Sequence, residues 1–228
     1  MSNADTVTND RQSGVVFGLI ILFGWAMFLY FTTQHAENGP PASFVALIRG
    51  MATEGQQMVH AGVCVASAIL LIGYAGFATR LGLGRPSVMT GLVIFTIATV
   101  ALVVWALLDG IVLPGLAIAY AKKPDDFLEV LKPTYFLTVG IVSLMSQIRM
   151  IIMPIAIVAW SISLLQQSAI SRFIGLLGFG AAVLIAAPVF APQVMKLAGS
   201  PLMAFLALSS IQAAWGALIA LQMIRGKI

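Results

Sequence analysis

Six apolar stretches, at residues 14–33, 57–79, 87–120, 134–166, 171–190 and 201–224, alternate with connections that hold most of the charged residues. Each reaches the roughly 20 residues that a helix needs to cross a hydrocarbon layer of about 30 Å at 1.5 Å per residue. None shows the every-second-residue alternation of a barrel strand, and lipid has no water for free backbone groups, so helix is the spanning form that remains. The pattern predicts an all-α fold, a polytopic transmembrane helical bundle of about six spans. Its expected organisation is a cytoplasmic N-terminal tail at residues 1–13 followed by a single transmembrane helical domain over 14–228. The first apolar run exceeds the h-region of a signal peptide and reads as an uncleaved span.

Local chemistry marks several ends. Thr53 and Gln56 have capping-box spacing ahead of the second span, and Ser200-Pro201 places an N-cap and an N1 proline at the head of the sixth. Pro188 and Pro192 are expected to close the fifth. The third and fourth spans are long enough for about 50 Å of straight helix, well beyond the bilayer core. Each holds a proline just after polar residues: Asp109-Gly110 precede Pro114, while Gln147 and Arg149 precede Pro154. The missing N–H groups free the carbonyls of Gly110 and Met150, so a kink is predicted in both. Two connections look ordered. Residues 41–51 set Phe44, Val45, Leu47, Ile48 and Met51 on one side, as suits a helix lying among headgroups. Pro124-Asp125-Asp126 resembles a helix start, with proline at N1 and acids near the positive end of the dipole.

Composition strengthens this picture. Hydrophobic residues make up 60% of the chain and charged ones 9%, against roughly 25% charged in soluble domains. The lipid bilayer is thus the first expected partner. A net charge of +4 does not point to nucleic acid, because the cations are scattered through short connections. When the spans alternate sides, Arg11, Arg80, Arg85, Arg172, Arg225 and Lys227 fall on one face, and Arg49, Lys122, Lys123, Lys132 and Lys196 on the other. The counts nearly balance. The longer connections fall on the second face, and the expected layout is a cell membrane protein, bacterial inner membrane by this reading, with both termini cytoplasmic.

Candidate chemistry lies where charge enters the apolar runs. A charged side chain costs roughly 2.5–3.5 kcal/mol at the bilayer centre, so such groups pair with one another or line a wet cavity. Counted from their shared connection, Asp109 and Arg149 differ in depth by about 6 Å at helical rise, and His60 falls in the same layer. The sequence therefore predicts a shallow outward-facing binding cluster of His60, Asp109, Gln147 and Arg149, with Glu54 at its mouth and an ion pair between Asp109 and Arg149. The plainer alternative is that this pair only fixes helix register. Three function classes follow: a small transporter or solute-binding membrane protein, favoured here; a non-catalytic accessory or assembly subunit of a membrane complex; and a membrane-embedded redox or lipid-modifying enzyme.

Other motifs carry less. His60 and Cys64 are i, i+4, with Met58 near, and are weak candidates for a soft metal such as copper; Met145, Met150 and Met153 invite the same idea. A buried Cys behaves as a small hydrophobe and Met fills gaps, so no metal is expected. Haem is disfavoured because the only histidines, His35 and His60, sit near span ends. No cofactor is predicted, and the single cysteine excludes an intrachain disulfide. Asp109-Gly110 resembles the opening of the CDP-alcohol phosphotransferase motif, but the Ala-Arg pair and later spaced aspartates are absent. No serine-hydrolase elbow, His-Glu-x-x-His pair or Walker loop occurs. Gly178 with Ala182, Ala213 with Ala217 and Gly216 with Ala220 have the small-xxx-small spacing that lets helices approach. They mark the fifth and sixth spans as possible contacts with a second copy or a membrane-complex partner. Trp25, Tyr30, Trp105, Tyr120, Tyr135 and Trp160 read as interfacial anchors.

Overall fold

The computed structural model describes residues 3–35, 42–52, 54–190 and 200–228, with side chains at 3–10, 54 and 201 excepted. Those residues form α1 (Asn3–Thr33), α2 (Phe44–Met51), α3 (Glu54–Leu81), α4 (Pro86–Leu107), α5 (Leu113–Tyr120), α6 (Asp125–Val130), α7 (Lys132–Leu165), α8 (Ala169–Phe190) and α9 (Pro201–Ile224). One π-helical turn, Leu108–Val112, joins α4 to α5. Six helical stretches are long and apolar enough to cross a membrane, namely Arg11–Thr33, Gly55–Leu81, Pro86–Tyr120, Lys132–Leu165, Ala169–Phe190 and Leu202–Ile224. The chain is an all-α bundle of the multi-pass membrane type.

The six long helices close a ring. Along it α1 packs on α3, α3 on α4, α4 on α7, α7 on α8, α8 on α9, and α9 returns to α1. Large apolar side chains such as Phe23, Ile72, Val100, Leu176 and Val183 stand on the outside, each more than half exposed. Water would not tolerate such a rim, whereas acyl chains match it. Because lipid is as apolar as the core, burial alone gives little drive to associate, and close packing has to supply it.

That packing is aromatic at the centre. Trp160 of α7, fully buried, lies flat against Tyr74 of α3, with centroids 5.3 Å apart and an interplanar angle of 8°. Phe95, Phe77 and Trp215 surround it, and Trp25 donates from Nε1 to the Tyr74 hydroxyl at 3.2 Å. Trp25 and Trp160 are therefore core residues, contrary to the anchor role expected of them: in a ring of helices their flat faces fill the axis. Tyr30, 60% exposed, faces outward instead. The small residues of α8 and α9 serve the same core. A Cβ on Gly178 would meet Ser161 and Trp215, and one on Gly216 would meet Tyr74 and Trp25. Those close approaches are taken up within the chain.

α7 runs as one helix through Pro154, and α8 runs through Pro188 as far as Phe190, the last described residue of that segment. In the third span the α pattern gives way to a π turn: Leu113 donates its backbone N–H five residues back to the Leu108 carbonyl, directly before Pro114. The widened turn takes up one residue more than an α turn, which relieves the clash of the following proline ring. Pro192 and Thr53 lie outside the described residues.

At the end of the bundle shared by α2, α5 and α6, a second small core forms from Val45, Ile48, Ala117 and Leu128. Ser43 caps α2 by accepting from the Ala46 N–H, and Arg49 pairs with Asp125 at 2.6 Å while also donating to the Ala121 carbonyl. Pro124 occupies the N-cap of α6, one position before that expected.

Candidate functional site

The π turn sets the site. It carries Asp109 and Gly110 from α4 against the first turns of α3. A Cβ at Gly110 would collide with the His60 ring, so glycine here is what lets that ring lie against the backbone of the neighbouring helix. His60 is 1% exposed. Its Nε2 lies 3.3 Å from Oδ2 of Asp109, and its Nδ1 lies 2.9 Å from the carbonyl oxygen of Gln56, one turn earlier on α3. At 3.3 Å the Nε2 to Oδ2 approach is close, yet it lacks hydrogen-bond alignment: Nε2 has no hydrogen-bond partner among the described residues. The two groups are close neighbours without a hydrogen bond between them.

A third group joins them. The His35 ring, just past the end of α1, meets the His60 ring edge to face with centroids 5.1 Å apart. Trp105 of α4 lies on another side of His60 at 5.5 Å, and stacks in turn on Phe205 of α9. Together these residues border a cavity of about 300 Å³, lined also by Thr32, Val63, Met150 and Leu208. Its wall is mostly apolar, with Thr32 and Ser146 the polar positions besides His35, His60 and Asp109, the profile of a site that accepts an apolar body and fixes a polar end.

The other sequence-predicted residues are placed as follows. Arg149 is buried, 5% exposed, but it does not reach Asp109. It donates from Nη2 to Oε1 of Gln212 at 3.3 Å and sits over the rings of Phe205 and Phe28, at 5.2 and 6.0 Å from their centroids. The expected ion pair is replaced by an amide and two aromatic faces, because Arg149 points across the bundle toward α9 and α1 while Asp109 points to α3. Helical rise gave depth along the axis; it could not give rotation about it. Gln147 is exposed, bonded at 3.5 Å to Ser143, and lines an adjoining cleft with Pro188 and Val189 that shares Ser146 and Met150 with the cavity but does not include His60 or Asp109. The Glu54 side chain lies outside the described residues. Cys64 stays apart from the group that His60 forms with His35 and Asp109.

His35 and Gln212 were missed. The signal for His35 was in plain view: both histidines of the chain fall at the same end of the bundle, since the first span ends where the second begins. For Gln212 there was none, because a glutamine in an apolar run does not announce its partner. Compared with protein-family models, curated proteins and solved structures, the chain finds no match.

Proposed function

We propose that this multi-pass membrane protein binds a small solute, as a small transporter or solute-binding protein, in the cavity between α1, α3, α4, α7 and α9. One observation carries the reading: the apolar cavity of about 300 Å³ ends in the His60 and Asp109 side chains, 3.3 Å apart and drawn from different helices. A partly exposed carboxylate beside a buried imidazole is costly to keep at membrane depth, and a bound polar group offsets that cost. The broken span supports the same reading, since non-helical or widened turns at membrane depth are tolerated where they line a cavity. On the charge distribution, the cavity faces the extracytoplasmic side and both termini are cytoplasmic.

The test is a thermal-shift panel on the detergent-purified chain, using small molecules with a short apolar body and one polar or charged end. Members of the panel are expected to raise the melting temperature of the native chain but not of Ser146→Phe, which puts a ring into the cavity without touching His60 or Asp109. A panel with no stabilising member, or stabilisation that survives Ser146→Phe, contradicts the proposal. Uptake of a binder into proteoliposomes then separates transport from binding alone.

A further inference from the structure

The His60 ring holds two acceptors face to face. A carbonyl oxygen only accepts, so the Nδ1 that lies 2.9 Å from the Gln56 carbonyl carries a hydrogen. In the neutral ring Nε2 is then a lone pair, and 3.3 Å away stands a carboxylate oxygen, itself an acceptor. Something positive belongs between them. A second ring proton is one answer, but it would call for the hydrogen-bond alignment that Nε2 lacks. A metal ion is the other, and it asks only that both lone pairs converge on one point.

His35 supplies a third. One ligand atom from each of His35, His60 and Asp109 lies within 4.8 Å of the others. Two donors at 2.0–2.2 Å from a tetrahedral ion stand about 3.4 Å apart, close to the 3.3 Å between Nε2 and Oδ2. We propose that His35, His60 and Asp109 form a binding site for a divalent first-row transition metal, Zn²⁺ being the best match to two imidazoles and one carboxylate. The Gln56 carbonyl fixes the tautomer of His60 by accepting from Nδ1, the usual outer-shell arrangement for a ligating imidazole. Three protein ligands leave a fourth position, and the cavity that all three residues line is where it opens. The inference rests on the solute-binding reading only in sharing this cavity; it narrows the solute's polar end to a Lewis base able to take that fourth position.

Co²⁺ is the probe, because its visible absorption reports coordination directly. The full-length protein, purified in detergent and stripped with a chelator, is titrated with Co²⁺ and then with Zn²⁺. The expected result is one saturable absorption band that Zn²⁺ displaces. It disappears in Asp109→Asn and His60→Ala, and weakens about tenfold or more in His35→Ala, whose position past a helix end leaves the core intact. Cys64→Ser and Gln147→Ala keep it. Absence of a saturable band in the folded native chain, or a band that survives both Asp109→Asn and His35→Ala, overturns the metal site. The two proposals fail separately: a solute shift in chelator without Co²⁺ binding removes the metal, and Co²⁺ binding without any solute shift removes the solute reading.

Discussion

Asp109 and Arg149 show how far residue counting reaches in a membrane chain. Rise per residue is fixed, so depth follows from the sequence, and His60 and Asp109 do stand side by side. Azimuth does not follow, because a span that is apolar all round gives no stripe from which to read its orientation. Arg149 thus belongs to Gln212, Phe205 and Phe28, where contacts with ring faces, worth up to about 2 kcal/mol when desolvated, offset part of its burial. A double-mutant cycle on thermal stability separates the two arrangements. Coupling between His60→Ala and Asp109→Asn is expected at about 0.5–3 kcal/mol, the range for residues in contact. Between Asp109→Asn and Arg149→Met it is expected to stay within about 0.5 kcal/mol, and a charge-swapped pair at 109 and 149 restores nothing.

At the scale of elements, the apolar runs located all six spans to within a few residues, and the two short helices between them were legible from Phe44, Ile48 and the Pro124 to Asp126 start. Pro154 and Pro188 lie inside continuous helices, where neighbouring helices and local adjustment absorb a freed carbonyl. The π turn ahead of Pro114 had no signature beyond the proline itself. The end cap joining α2 to α6 is held by its small core more than by its ion pair. Arg49 and Asp125, with side chains 48% and 70% exposed, are expected to contribute less than about 1 kcal/mol. Leu128, fully buried in that core, is expected to cost about 2–5 kcal/mol when cut to Ala. Chemical denaturation of Arg49→Ala and Leu128→Ala in detergent gives the comparison, and an equal loss in both would shift the weight to the salt link.

For the whole molecule, fold class was available from hydropathy alone, whereas the closed ring and its aromatic axis were not. Nothing in the sequence says that Tyr74, Phe95, Trp160 and Trp215, from four different spans, converge, since pairing between spans depends on rotation and neighbour choice. The ring leaves the cavity beside His60 at one end. Under the proposed function that end, with α2 and α6, faces the outer side of the membrane. The most direct measurement is thiol accessibility in right-side-out membrane vesicles, using Asp109→Cys in a Cys64→Ser background and a membrane-impermeant reagent. Cysteine at 109 is expected to react from the outside, whereas cysteine at the buried position of Arg149 stays unreactive. Reaction at 109 only from the inside, or none from either side while 149 reacts, would contradict an outward-facing cavity built on His60 and Asp109.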